Sequence, residues 1–332
     1  MIDFILLQKL MNDNNSFLIT THVNPDADAI GSEMAVYLVL KELGKKVHII
    51  NFNETPYNIA FLDTDNVIEQ YNSIKHDSVI NSVDAILCVD FNRADRTVKM
   101  KKALVESSAI KIVIDHHQEP EEFADYLFID TIYSATGEIL YDFIKKTNIV
   151  KLSYEIVYPL YAAIMTDTGS FRFERTTPRL HRMIAEMLEF GVVPGEVYNK
   201  IYDESKFSKI KLLGRSLDSM QLAGKKQNVG YMVLTQKDFD ETKAVESDTD
   251  GFVNFALSVE NVTVGILFIE LKDGFKMSFR SKGNIPVSKL AASYGGGGHT
   301  NAAGARFFNK KLNDILPEVL VKASVYADME GN

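Results

Sequence analysis

Five short runs in the first half of the chain, "FLIT" (17–20), "KVHIINF" (46–52), "AILCVDF" (85–91), "IKIVID" (110–115) and "YLFID" (126–130), are almost continuously apolar. A strand with one wet face alternates apolar and polar residues. A strand buried on both faces does not, so these runs belong in a parallel sheet covered by helices on either side. Helical patterns fall between them, beginning with "AIGSEMAVYLVLKELG" (29–44). The alternation predicts a doubly wound, mainly parallel α/β domain.

Further along, "YPLYAAIMTDTGSFRF" (158–173) runs from a helical pattern into a polar turn, and "TTPRLHRMIAEMLEFG" (176–191) reads as a helix begun by Thr-Pro and stopped by Gly191. Residues 191–221 read as a helical connection of mixed charge. Beyond them the pattern changes to the strands "GYMVLT", "VTVGILFIEL" and "FKMSFRS", with helices near 250–258, 286–294 and 312–328. The expected organisation is an α/β domain over 1–190, the connection over 191–221 and a smaller α/β domain over 222–332.

What matters for chemistry is where the polar residues fall. "THVNPDAD" (21–28) follows the first run and brings His22, Asp26 and Asp28; Asp90 ends the third run; Asp115, His116 and His117 end the fourth; Asp167 stands where a helix stops. In open α/β sheets, sites form outside the carboxyl ends of the strands. A single strand-end Asp is more often a helix cap or turn residue. The whole constellation is hard to obtain by capping alone. Carboxylates this close repel one another unless a proton or a cation intervenes. Imidazole and carboxylate without thiolate suits manganese, magnesium or zinc, and the mixture leans towards manganese. These ligands are too many for one catalytic ion with open positions. Two ions sharing a bridging carboxylate would use them, in the arrangement that clamps an in-line displacement at phosphorus. His48, His76 and His181 lie outside the clusters and read as structural.

At 332 residues, 46% hydrophobic and 24% charged, the chain can bury a sizeable core. A net charge of −9 argues against a large nucleic-acid footprint but leaves room for a small basic pocket. Cys88 sits inside an apolar run and reads as a core thiol in a reducing compartment. The first residues, "MIDFILLQKLMNDNNS", lack a basic leader, and no run approaches the roughly 18 apolar residues of a membrane span, so the expectation is a cytoplasmic protein without membrane partners.

Taken together, "THVNPDAD", the "VD" at Asp90, "DHH" at 115–117 and "TDTGSF" at 166–171 resemble the four motifs of the DHH phosphoesterase superfamily. Near the other end, "YGGGGHTNAAGAR" (294–306) is similar to the signature of the RecJ-type, or DHHA1, carboxy-terminal domain. The pair resembles the NrnA-like subfamily of bifunctional oligoribonucleases and pAp phosphatases, in which two domains close over a cleft. The resemblance implies that His22, Asp26 and Asp90 hold one ion, and Asp28, Asp90, His116 and Asp167 the other. Asp115 would orient its neighbours, and His117 would face the substrate phosphate. In the second domain Arg280 and Ser281 match the substrate-binding strand, and the backbone amides of Gly297 and Gly298 beside His299 could cradle a phosphate. Arg93 and Arg96 in "FNRADR" stand between a phosphate contact and a surface role.

The implied activity is hydrolysis of short oligoribonucleotides and linear dinucleotides to 5′-mononucleotides, with pAp as a second substrate and a homodimer as the assembly. An alternative is a phosphodiesterase for cyclic or linear signalling dinucleotides of the c-di-AMP and pApA type. Family II pyrophosphatases share the first motifs, but their Ser-Arg-Lys signature is absent here, where the order is Arg280, Ser281, Lys282. A RecJ exonuclease acting on long strands would carry further nucleic-acid-binding domains and a basic surface. A nucleotide-binding module that had lost its metals is opposed by the filled ligand positions.

Overall fold

The structure, a computed structural model, describes residues 2–328, and of His299 the backbone alone. It divides the chain into two compact units, Met1–Glu204 and Ser205–Asn332.

The first unit is built on six strands: β1 (Ser16–Thr20), β2 (Lys46–Asn51), β3 (Ile68–Gln70), β4 (Ala85–Val89), β5 (Ile110–Asp115) and β6 (Tyr126–Ile129). Their order is β3-β2-β1-β4-β5-β6, and every neighbouring pair is parallel. The helices are α1 (Phe4–Asp13), α2 (Ala27–Glu42), α3 (Ser73–Ile80), α4 (Lys101–Glu106), α5 (Thr136–Thr147), α6 (Tyr154–Asp167), α7 (Pro178–Glu189) and α8 (Pro194–Tyr198). Phe17, Ile19, Leu87 and Ile112 join a core with Ile30 of α2, Ile139 of α5 and Leu160 of α6. The alternate residues Leu18, Ile86, Cys88 and Val113 join a second core with Ile80 of α3 and Leu104 of α4. Both faces of the sheet are therefore dry, which is why its strands show no alternation.

From β1 the chain steps outward to β2 and β3, then returns to β4 and steps the other way. The reversal places a crevice at the carboxyl ends of β1 and β4, the usual ligand position in such a sheet. His22 follows β1 and Asp90 follows β4.

The second unit has β7 (Gln221–Ala223), β8 (Val229–Leu234), β9 (Val264–Leu271), β10 (Gly274–Ser281), β11 (Gly297–His299) and β12 (Ala302–Phe308), in the order β11-β12-β10-β9-β8-β7. Only β8 and β9 pair parallel; the rest are antiparallel. Its helices are α9 (Phe207–Asp218), α10 (Gln236–Thr242), α11 (Val253–Leu257), α12 (Val287–Ala292) and α13 (Leu312–Ala327). β10 alternates strictly. Phe275, Met277 and Phe279 enter the core formed with α12 and α13, while Lys276, Ser278 and Arg280 remain partly exposed. The helical stretch read between 191 and 221 is shared out, with α8 in the first unit and α9 in the second. Among the described residues no helix is long and apolar enough to cross a membrane.

One close approach sets the first unit's geometry. α2 begins, and α6 ends, at the carboxyl side of the sheet, and they meet at Gly31. A Cβ there would stand 2.4 Å from the Pro159 carbonyl oxygen and 3.2 Å from the Ala163 Cβ. Gly31→Ala is expected to lower stability by roughly 1–3 kcal/mol, the usual scale of overpacking. The urea midpoint of the whole chain reads this out, and an unchanged midpoint would show that the helices can separate without loss.

Candidate metal centre

At the end of β1 the Thr21 amide donates to Asn51 Oδ1 (3.1 Å) and the Thr21 hydroxyl to the Val89 carbonyl (2.7 Å). The ends of β1, β2 and β4 are thereby locked together just ahead of His22. The His22 Nδ1 lies 2.9 Å from the Val23 carbonyl oxygen. A carbonyl only accepts, so Nδ1 carries the hydrogen and Nε2 presents a lone pair. That lone pair faces Asp90 Oδ2 at 3.3 Å. Two acceptors at this separation need a cation or a proton between them.

Asp26 serves two purposes. Its Oδ1 caps α2, accepting from the amides of Asp28 (3.0 Å) and Ala29 (3.1 Å), and its carboxylate also converges with His22 and Asp90. Asp90 has φ +65°, a left-handed conformation that Asp tolerates better than most residues. His116 Nε2 is 3.2 Å from Asp167 Oδ2, 3.6 Å from Asp90 Oδ1 and 3.8 Å from Asp28 Oδ2, yet both its ring nitrogens are buried without a well-formed hydrogen bond.

Among the described residues three groups result, each with ligand atoms within 4.8 Å of one another: His22, Asp26 and Asp90; Asp28, His116 and Asp167; and Asp90, Asp115, His116 and His117. Asp90 joins the His22 side to the His116 side, with Oδ2 towards His22 and Oδ1 towards His116. Asp115 stands beside them, fully buried, accepting at Oδ1 from His117 Nδ1 (2.7 Å) while its Oδ2 has no partner. His117 is more exposed than His116.

The electrostatics follow from burial and from the crowding of carboxylates. Burial pushes Asp90 well above the usual carboxylate range, and Asp28, Asp26, Asp167 and Asp115 add to it. Asp28 is raised by burial too, against the pull of His116, and Asp167 is raised to about 6 by burial and by Asp28 and Asp26. Burial opposes a charge on His116, but Asp167, Asp28 and Asp115 outweigh it and push the imidazole up to about 9. His22 is held below its ordinary value by burial; Asp26 opposes this and Arg96 adds to it. The unpartnered His116 Nε2 and the carboxylates raised by one another fit a divalent-cation centre, because a bound cation relieves both.

Sequence reasoning missed the groups that hold these carboxylates in place. The first amides of α5 both donate to Asp28, Thr136 N to Oδ2 (2.7 Å) and Gly137 N to Oδ1 (2.9 Å), and Ser32 Oγ adds a third bond to Oδ1 (3.1 Å). The Thr136 hydroxyl donates to Asp90 Oδ1 (2.9 Å). The available signal was "SATGE", a small-residue opening to a helix, but nothing local says whose carboxylate it serves. Glu33 belongs to the same support. It is fully buried in α2, its Oε2 accepts from Asn51 Nδ2 (2.7 Å), and Asn51 in turn holds Thr21.

In the second unit, Arg280 lies on the half-open face of β10, its Nη1 donating to the Phe279 carbonyl (3.1 Å). Burial lowers its pKa and the nearby Asp250 carboxylate raises it. The Ser281 hydroxyl is taken up by the fold, donating to the Ile285 carbonyl (2.6 Å) and accepting from Asn301 (3.0 Å). Gly297 and Gly298 form β11 with His299, whose side chain lies outside the described residues. Gly298 has φ +141°, and a Cβ there would meet the Ala302 carbonyl at 2.4 Å. His299 pairs with Ala302, and Ala302 with Arg280, so the three positions stand in line across neighbouring strands. In the first unit, Arg93 points outward, its Nε 3.6 Å from Asp95 Oδ1.

The DHH family, N-terminal domain, matches residues 16–164, and the DHHA1 domain matches residues 227–323. A relative from Thermus thermophilus, the bifunctional oligoribonuclease and PAP phosphatase NrnA, is 32% identical over 302 residues, covering 91% of this chain and 87% of its own. An exopolyphosphatase-related protein from Bacteroides fragilis has a similar structure, with a TM-score of 0.90 at 30% identity over 98% of this chain and 97% of that one. RecJ from Thermus thermophilus in complex with Mn2+ has a TM-score of 0.55 at 13% identity, over 98% of this chain and 54% of that one, a likeness of fold alone.

Two experiments follow from the site. Asp90→Ala is expected to lower the number of bound divalent ions, and Thr136→Val, which keeps shape but loses the hydroxyl, to weaken metal affinity by about 10- to 100-fold, the scale of a lost supporting bond. Metal titration of both variants checks this, and full affinity in Thr136→Val would leave Asp90 self-supporting. The second concerns Glu33, which burial pushes up to about 8 from an ordinary 4.5. Between those values the folded chain keeps a proton that the unfolded chain has lost, so stability falls as pH rises through that window, by roughly 1.4 kcal/mol per unit. Glu33→Gln keeps an acceptor for Asn51 and removes that slope. It should gain on the parent chain in urea unfolding between about pH 5 and pH 8, whereas a constant difference would mean that Glu33 is ionised in the fold.

Proposed function

The chain belongs to the DHH family and is a phosphoesterase; from that premise we propose that it removes 5′-mononucleotides from very short oligoribonucleotides and linear dinucleotides and also hydrolyses pAp to AMP. The observation that carries the reading is the placement of Asp90 between two imidazole–carboxylate groups. The relative from Thermus thermophilus, named for both activities, supports the choice of substrates. We assign His22, Asp26 and Asp90 to one ion and Asp28, Asp90, His116 and Asp167 to the other. Manganese is the preferred ion and magnesium the alternative.

Divalent ions held by these residues would supply Lewis-acid charge at a phosphoryl oxygen and would acidify water. The chain's own part is orientation and proton handling. Asp115 accepts from His117 Nδ1 and so fixes the ring, which leaves Nε2 as the position that addresses the phosphoryl group or the leaving oxygen. Thr136, Gly137 and Ser32 hold the carboxylates still while charge redistributes. The second unit, with Arg280, His299 and the amides of Gly297 and Gly298, would grip a terminal phosphate or nucleotide. In this reading the protein works in the cytoplasm as a homodimer.

A panel of pAp, pApA, c-di-AMP, a 5-mer, a 24-mer and pyrophosphate, each with manganese and with magnesium, tests the assignment. Turnover confined to the 24-mer or to pyrophosphate would overturn it. Arg280→Ala is expected to reduce kcat/KM for pAp and dinucleotides by roughly 2 kcal/mol, the worth of a charge-assisted pair. Hydrolysis of bis(p-nitrophenyl) phosphate, which has no remote phosphate, should change little. Equal losses on both substrates would make Arg280 a support of the fold or of the metal centre.

A further inference from the structure

The loop after β4 carries two arginines, and the structure separates them. Arg93 is about half exposed and lies beside Asp95. Arg96 is half-buried. Its Nε is buried without a hydrogen-bond partner, and its charge is among those acting on His22.

The backbone of Arg96 is clamped between the two loops that carry metal-centre residues. The Val23 amide donates to the Arg96 carbonyl (2.7 Å), one residue beyond His22, and the Arg96 amide donates to the Arg93 carbonyl (3.0 Å). On the other side, Asn92 Nδ2 donates to the carbonyls of His117 (3.0 Å) and Gln118 (3.2 Å), and the Ala94 amide donates to Glu121 Oε2 (2.9 Å). Val98, two residues on, has φ +50° and ψ −112°, a conformation that a β-branched residue avoids. Strain of this kind persists where the surroundings over-determine the chain, and it gathers at functional sites.

A guanidinium presents N–H donors in a fixed fork, and a buried donor with nothing to receive it is unfavourable. The carboxylates of the metal centre do not receive it: Arg96 enters no ion pair among the described residues, although Asp90 and Asp26 lie about His22. An acceptor that arrives with the substrate would. A phosphoryl group has the matching planar pair of oxygens, and a preorganised guanidinium takes it up with little loss of freedom.

We propose that Arg96 is a substrate-binding residue whose guanidinium donates to a non-bridging oxygen of the scissile phosphoryl group on the His22 side of the centre. The assignment rests on reading this centre as the place where a phosphate ester is hydrolysed. Arg96 is then the counterpart of His117, the two approaching the phosphoryl group from loops that Asn92 ties together. The competing role is a fixed counter-charge to the carboxylates, in which case Arg96 would matter for metal retention and not for phosphate.

The test is calorimetric binding of inorganic phosphate to the manganese-loaded full chain, with metal content measured on the same samples, for the parent chain, Arg96→Ala and Arg96→Lys. Arg96→Ala should keep its manganese and bind phosphate at least about tenfold more weakly, with Arg96→Lys between the two, since lysine restores charge without the fork. For pAp, kcat/KM should fall on the order of 10²-fold in Arg96→Ala, the scale of a lost oxyanion donor. Unchanged phosphate affinity, loss of manganese together with phosphate, or a parent chain that binds no phosphate with its metals present would each overturn the assignment. If Arg96→Ala does not fold, Arg96→Lys decides on the same criteria. Should the parent chain hydrolyse neither pAp nor dinucleotides while phosphate binding still depends on Arg96, the proposed substrates fall and Arg96 stands. If both substrates are turned over equally by parent and Arg96→Ala, the reverse holds.

Discussion

Repulsion among the carboxylates of Asp26, Asp28, Asp90, Asp115 and Asp167, gathered around His22 and His116 at one end of a dry sheet, is the constraint to which the first unit answers. Water would disperse that charge, but Asp28, Asp90 and Asp115 are buried, and Asp26 alone of the five is exposed. Asp90 illustrates the consequence. Buried and surrounded by its own kind, it stays protonated far above the usual carboxylate range until a cation replaces the proton. In a centre of this kind, affinity for a cation and instability without one would be the same property. The packing of both cores must supply the free energy that holds the ligands together.

The chain meets this constraint with donors rather than with counter-charges. Asp28 is held through the amides that open α5 and through Ser32, Asp90 through the Thr136 hydroxyl, and Asp26 through the amides that open α2. Each is neutral and, Ser32 aside, fixed to a helix end, so it orients a carboxylate without competing for the position of an ion. Glu33 extends the logic one layer outward. It steadies Asn51, which steadies Thr21, and it does so as a neutral acid because burial keeps its proton on.

How much of this can be read from the sequence depends on whether the physics is local. β1, β2, β4, β5 and β6 are legible because burial on both faces leaves continuous apolar runs, and β10 because "FKMSFRS" alternates. The clustered histidines and aspartates of the candidate centre are legible because they fall at strand ends, where sites form. β3 is three residues at the sheet edge and has no room to show a period. β11 hides in a glycine run that reads as a loop until β12 supplies its partner. Thr136 serves Asp90 across 46 positions, and Gly137 serves Asp28 across 109, distances over which a single sequence carries no pattern. Glu33 sits in a helical pattern where a charge suggests solvent, yet it is fully buried. Arg93 and Arg96 stand three residues apart in one motif, and nothing local tells which is exposed and which half-buried.

The reversal of strand order between β1 and β4 has a kinetic meaning as well. No hairpin or contiguous segment can bring His22, Asp90 and His116 together; β1 must first pair with β4, and β4 with β5, through long parallel closures that form slowly. Before then the same side chains are scattered weak donors, and the unfolded chain has no site to offer. Ions held at such a centre would act on the native state alone, and contacts made after the rate-limiting step slow unfolding while leaving folding unchanged. Their removal would then shorten the lifetime of the folded chain without altering how quickly it is reached.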